Sequence, residues 1–233
     1  MTSLWGDVAL TKTFVSVTMS LDGYIAPQGM GLTDSDKTAL DAWLARWSQL
    51  QDWVFHQEFF RKNLHLPDQG ETGDDNELLR VVFNRTSTTI IGKRMFDAGE
   101  RSWPEEAPFH TPVFVVTQVK REPWVRPGGT TFHFVNDGIE NALQLARSAA
   151  GNRDVRIGGG GLTISQFLRA GLVDELHIAI SPVILGGGVR MFEGVDFGRL
   201  ELAQLSSPRS NRVTHLSYRV GRAATRTSSP KRA

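Results

Sequence analysis

Short apolar runs alternate with stretches of helical spacing between residues 87 and 185, and this alternation constrains the fold more than any other feature. STTIIG (87–92), TPVFVVTQ (111–118), TTFHFV (130–135), DVRI (154–157) and DELHIAISPVIL (174–185) read as strands. DGIENALQLARSAAG (137–151) reads as a helix with Asp137 as N-cap, Glu140 three residues later and Gly151 closing it. LTISQFLRAG (162–171) reads as another, ending at Gly171. Strands separated by helices predict an α/β fold with a largely parallel sheet. ELAQLSS (201–207) and RVTHLSYRV (212–220) predict a closing antiparallel hairpin.

Upstream, TFVSVTM (13–19) predicts a strand that enters a turn at Asp22-Gly23. Leu40, Trp43, Leu44, Trp47, Leu50 and Val54 predict an amphipathic helix within 35–60, broken near Trp53. LPDQGETGDDN (66–76) reads as an exposed acidic loop, and NELLRVVFNR (76–85) as helical. There is no internal repeat or interdomain linker. Residues 1–220 are therefore expected to form one domain, and GRAATRTSSPKRA (221–233) a flexible basic tail.

Within 155–171, VRIGGGGLTISQFLRAG places four consecutive glycines between a strand and a helix. Ordered glycine is entropically costly, so the run needs a reason. A strand that ends in glycines and enters a helix presents free N–H groups and the positive end of the helix dipole, a ready phosphate site. Thr163 adds a hydroxyl within the first turn. Close strand–helix packing or a Gly-rich turn is the other use of such a run. The P-loop pattern is excluded because Leu162-Thr163 follows Gly161, and GxGxxG fails at both possible starts. A second run, Gly186 to Gly188, reads as a turn.

Composition narrows the chemistry. The 233 residues include no cysteine, which removes disulfides, thiolate catalysis and zinc–cysteine sites. Six histidines (56, 65, 110, 133, 177, 215) show no HxH or HExxH spacing, so no metal site is expected. No apolar window is long enough for a membrane span, and the start of the chain does not read as a secretory signal, so a cytoplasmic protein is expected. Net charge is +1, or −3 without the four basic residues of the tail. Those four charges lack interleaved aromatics, and no nucleic-acid partner is expected. Trp43, Trp47 and Trp53 read as core or dimer-interface residues rather than a platform for a stacked ring.

Four motifs occur in order: SVTMSLDGYIA, IIGKRMFD, PVFVVTQ, and VRIGGGGLTISQFLRAGLVDELHIAISPVILGGGVRMFEG. Together they resemble the dihydrofolate-reductase-like superfamily over residues 12–220, and within it the reductase domain of riboflavin biosynthesis with its stand-alone relatives. The resemblance implies an NADPH-dependent reductase acting on a small heterocycle, of ribosylaminopyrimidine or pterin type, or on a carbonyl or imine. By motif, Gly158, Gly159, Gly160, Gly161, Leu162 and Thr163 would hold the cofactor pyrophosphate. Gly92, Lys93 and Arg94 would meet the adenosine-side phosphates, and Thr117 and Gln118 would lie beside the adenine ribose. Ser20 and Asp22 match the family's Ser-x-Asp-Gly beside nicotinamide and substrate. There Asp22 would orient or protonate the substrate, or else simply form an Asx-turn. Two cations at one turn favour NADPH over NADH.

The chain departs from this pattern in two ways. It lacks the cysteines and the length of the zinc deaminase domain that bifunctional riboflavin enzymes carry. It also has Ile157 where those reductases commonly place an acid before the glycines. Asp34, Asp36, Asp41 and Asp52 are candidates for the acidic anchor of a pterin, and region 35–75 carries no mapped motif. A homodimer is expected through the aromatic helix at 40–54 and the strand from His177 to Leu185. The rival to an enzyme is a nucleotide-binding or sensor protein without turnover.

Overall fold

The structure is a computed structural model that describes residues 11–29, 37–67, 69–196, 198 and 200–222. Its centre is a nine-stranded sheet, built from β1 (Thr13–Ser20), β3 (Thr86–Gly92), β4 (Pro112–Val116), β5 (Trp124–Val125), β6 (Thr131–Val135), β7 (Asp154–Gly159), β8 (Glu175–Ser181), β10 (Leu200–Ser206) and β11 (Thr214–Arg222). The spatial order is β10-β11-β8-β1-β7-β3-β4-β6-β5. The six strands from β8 to β6 run parallel, and antiparallel strands close both edges. β2 (Ala26–Pro27) and β9 (Gly188–Val189) form a separate two-residue ladder. The α/β reading and the closing hairpin agree with this topology.

The helices divide between the two faces. α6 (Ile139–Ala150) and α7 (Gly161–Ala170) bury Leu143, Ala146, Ile164 and Phe167 against Val15, Ile90 and Ile157. On the other face, α5 (Lys93–Ser102) packs Phe96 on Ile91, Val113 and Phe132. Beside it lies the insert of α1 (Lys37–Leu50), α2 (Asp52–Phe55), α3 (Glu58–Asn63) and α4 (Asp74–Arg85). Each fully buried aromatic or aliphatic side chain contributes about 1.5–3 kcal/mol. The two helix layers therefore leave the sheet no free apolar face where they cover it.

Several local expectations need correction. The 35–60 helix breaks at Gln51, near Trp53 as expected, and the Gln51 Oε1 there accepts a hydrogen bond from the Thr18 hydroxyl at 2.9 Å. A second break separates α2 from α3. Asp137 does not cap α6: Gly138 is the N-cap, and Asp137 accepts bonds from the Asn141 amide at 2.8 Å instead. The 66–76 loop ends early. Asp74 to Asn76 already belong to α4, and Asp75 is buried. β11 continues through Arg222, which the sequence assigns to the tail. Arg222 donates to the Ala170 carbonyl at 2.7 Å, capping the C-terminus of α7. The remainder of that tail (223–233) lies outside the described residues, as do Asp34 and Asp36.

Part of the expected dimer surface packs within the protomer. β8 is an interior strand between β1 and β11, and Trp43 and Trp53 are buried. Leu40, Leu44 and Trp47 of the helix stay partly exposed, and Ile184, just beyond β8, is exposed. No helix among the described residues is long and apolar enough to cross a membrane.

Candidate functional site

Parallel strands end together, so Ser20, Gly92, Val116, Gly159 and Ser181 share one edge of the sheet. Ligands of open α/β sheets bind at that edge. β7 stops at Gly159, and Gly160 is the N-cap of α7. The first helical hydrogen bond runs from Ile164 N to Gly160 O at 3.0 Å, which leaves the amides of Gly161, Leu162 and Thr163 outside the helical ladder. A side chain on Gly160 would meet nothing within 4 Å, so its Cα faces open space. A Cβ on Gly161 would come within 2.6 Å of Val189 Cγ1 and 2.7 Å of the Arg190 carbonyl. The run thus serves both uses: Gly161 allows close packing, and Gly160 leaves room beside free amides.

Gly92 ends β3 and caps α5 on the neighbouring strand, where a Cβ would collide with Thr163 Oγ1. The N-termini of α5 and α7 therefore lie side by side, and Gly92, Gly160 and Thr163 are brought together. Lys93 is engaged by Asp97 one turn later, at 2.8 and 2.6 Å to its two oxygens. Arg94 is exposed and has no ion-pair partner among the described residues. Thr117 is buried at the end of β4 and its hydroxyl accepts from Val119 N, while Gln118 is exposed. Leu162 is exposed on the first turn of α7.

Ser20 and Asp22 are neighbours, as their spacing implies, but the Asp22 carboxylate is already occupied. It accepts from Ser20 Oγ at 2.7 Å, Leu185 N at 3.1 Å and Gly186 N at 2.7 Å. The Ser20 hydrogen bond lowers its pKa most; desolvation opposes it, and the Leu185 and Gly186 amides add to the lowering. Asp22 fastens the turn after β1 to the glycine loop after β8, across 163 residues. It does not line the cleft described next.

A cleft of about 270 Å³ lies between the insert and the sheet, and Gly158 to Gly161 are part of its lining. One wall is aromatic: Trp43, Trp47, Trp53, Phe55, Phe60 and Phe83. Trp43 and Trp47 stack at 6.2 Å with 13° between their planes. Trp43 and Trp53 are buried and Trp47 is half-buried, and all three also wall the cavity. The opposite wall is the sheet, which carries Thr18, Arg156, His177, His215 and Ser217. Trp53 Nε1 donates to Thr18 Oγ1 at 3.0 Å, so wall and floor are hydrogen-bonded to each other.

Two polar features of this floor escaped the sequence reading. His215 Nε2 lies 2.7 Å from Asp75 Oδ1, and Ser210 Oγ donates to Asp75 Oδ2 at 2.9 Å. Arg156 occupies the middle of β7. Ile157, the position compared with the riboflavin reductases' acid, points to the other face and packs with Val15 and Ile164 in the helix-covered core. Side chains alternate along a strand, so Arg156 and Gly158 face the cleft and Ile157 cannot. The alternation in DVRIGG was the available signal. Asp41 and Asp52, the described anchor candidates, are exposed and pair with Lys37 and Arg212.

Residues 11–216 match the family model described as the RibD C-terminal domain. The chain belongs to the RibD C-terminal domain family. Within reach of this family stands the uncharacterized protein YyaP of Bacillus subtilis (strain 168), 37% identical over 131 residues. That match covers 54% of this chain and 65% of YyaP, so the chain spans just under two thirds of this relative's length. Among solved structures, a Shewanella sp. PV-4 protein assigned to riboflavin biosynthesis superposes with a TM-score of 0.60. It is 23% identical and the match covers 91% of this chain and all of that one. The riboflavin biosynthesis reductase Rib7 of Saccharomyces cerevisiae gives 0.53 at 12% identity, over 94% and 93% of the two chains. At such identities the likeness is one of fold, and the fold is dihydrofolate-reductase-like, as the four motifs implied.

Proposed function

We propose that this member of the family is an NADPH-dependent reductase that delivers a hydride to a small planar heterocycle held in the aromatic cleft. The observation that carries this reading is continuity: Gly158 to Gly161 line the cleft and also lead into the free amides of α7. An anion-binding helix start and an apolar, ring-sized cavity thus share one wall. The open space at Gly160 fits a phosphate approaching those amides, and Arg94 is the available cation beside them. Bound there, NADPH would supply the hydride.

The chain's own residues would do the rest. Gly161, Leu162 and Thr163 would hold the pyrophosphate, with Gly92 and Arg94 on the adenosine side and Thr117 and Gln118 beyond them. Trp43, Trp47 and Trp53 would sandwich the substrate ring and exclude water. His215 would carry the accompanying proton. With Nε2–H donated to Asp75, its Nδ1 has no partner among the described residues. An imidazole oriented in this way by a carboxylate is a familiar proton carrier. Asp22 is assigned to loop anchoring instead.

The test is NADPH binding followed by NADPH oxidation over a panel of pteridines, pyrimidines, quinones and imines. Binding together with oxidation of at least one compound supports the reading. Binding with no oxidation across the panel favours a nucleotide sensor, and no binding ends the proposal.

A further inference from the structure

The cleft floor holds a cation with no counter-charge among the described residues. Arg156 makes one hydrogen bond, from Nη2 to the Ser16 carbonyl at 3.3 Å. Its Nε is sealed from solvent without an acceptor, and Nη1 has no partner among the described residues. The guanidinium lies 5.7 Å from the Phe83 ring centre, within the aromatic wall. Nearby charges are already balanced among themselves: Lys12 and Arg85 with Glu175, and Arg85 with Asp154. Asp75, the buried acid behind His215, is taken by His215 and Ser210. Burial pulls the Arg156 pKa down to about 10, which still leaves it charged at neutral pH.

Arg156 is half-buried with its Nε sealed from solvent, and a charge held there without a partner is costly for a fold to keep. Packing does not explain this one, because an apolar side chain of the same length would fill the space without the penalty. A guanidinium presents up to five N–H donors in a planar fork matched to carboxylate oxygens. Here four of the five have no partner among the described residues. The remaining surface of the cavity is aromatic, which suits a flat ring. The cleft, at about 270 Å³, is smaller than a drug-sized pocket, so it suits one or two rings rather than an extended molecule.

We infer that Arg156 is a substrate-binding residue, and that the cleft takes a planar aromatic acid whose carboxylate completes the missing ion pair. This rests on the proposed reductase reading for the word substrate, but the binding site itself does not depend on the cofactor.

The experiment therefore measures binding without NADPH. Quinoline-2-carboxylate, indole-2-carboxylate and benzoate are titrated against the full chain, each beside its neutral carboxamide, with tryptophan fluorescence and melting temperature as readouts. At least one acid should bind ten-fold or more tightly than its amide and raise the melting temperature. Arg156→Met should erase that preference, and should melt above the wild type in the absence of ligand because the uncompensated charge is gone. Arg156→Lys should retain part of the preference. Equal binding of acid and amide, or no binding of any acid, overturns the inference from the wild type alone, even if Arg156→Met fails to fold. A separate NADPH titration scores the reductase reading. Acid-selective, Arg156-dependent binding in a protein that ignores NADPH would keep this site and remove only the reaction.

Discussion

His215, on the floor of the aromatic cleft, and Asp75 stand 140 residues apart in the chain and 2.7 Å apart in the fold. His215 also meets Trp53 edge-on, with ring centres 5.2 Å apart, so the imidazole is held by a carboxylate on one side and an indole on another. If it carries the proton of the reduction, His215→Gln should lower turnover by ~10²–10⁴ while NADPH affinity stays within about two-fold. Asp75→Asn should lower turnover less, because it misorients the ring without removing it. Steady-state kinetics beside a cofactor titration checks both, and an active His215→Gln enzyme would return the proton to solvent.

Adjacent glycines should respond in opposite ways. Gly160 faces open space, so Gly160→Val should fold normally and lose NADPH affinity by ~100-fold, about 2.7 kcal/mol. Gly161 abuts Val189 and the Arg190 backbone, so Gly161→Val should destabilise the fold itself. Thermal melts paired with cofactor titrations separate the two. A folded Gly160→Val with unchanged affinity would remove the pyrophosphate assignment.

Preference for NADPH over NADH should rest on Arg94 more than on Lys93. Lys93 is held by Asp97, whereas Arg94 has no competing partner among the described residues. Arg94→Ala should cut the ratio of the two affinities by ~10-fold or more, and Lys93→Ala by only a few-fold. Equal losses at both positions would show that the Asp97 pair opens on binding.

Asp22→Asn should behave as a loop variant. All three partners of Asp22 donate to it, and an asparagine would turn an NH₂ group toward one of them. The melting temperature should fall while turnover stays within a few-fold of the wild type. A loss of ~100-fold in turnover with unchanged melting would restore a catalytic carboxylate.

Acid should unfold the protein in two stages. Burial lowers the His177 pKa below 6.5, so the neutral form is favoured in the fold. Its contribution is complete above 6.5 and is lost as pH falls below it. Burial alone would raise the Glu175 pKa, but hydrogen bonds from Lys12, Arg85 and His177 together outweigh it and hold it at about 2. That contribution is complete above the ordinary value of 4.5 and disappears as pH falls toward 2. Denaturation midpoints from pH 7 to 2.5 should show both slopes. Glu175→Gln should flatten the lower one and cost about 2–3 kcal/mol at neutral pH, because Lys12 and Arg85 lose their partner. An unchanged slope below pH 4.5 would reject this account.

By itself the sequence determined whatever depends on neighbours along the chain. Periodicity gave the order of strands and helices, and Gly171 marked the end of α7, where its φ of 65° is the left-handed cap. The four glycines announced a strand-to-helix turn with free amides. What it could not determine was which distant segments share a face. Asp75 sat in a stretch that reads as an exposed acidic loop, and only the docking of α4 against β11 buries it beside His215. The tryptophans read as core because apolar spacing says that they are covered, not whether they also border a void. Arg156 and Ile157 differ by one residue and lie on opposite sides of the sheet. The pleat makes that separation legible locally, but which side holds the cleft was decided by where the insert packs. A site made from β1, β7, β8, β11 and six helices is a product of long-range packing, and such packing leaves no local pattern in the sequence.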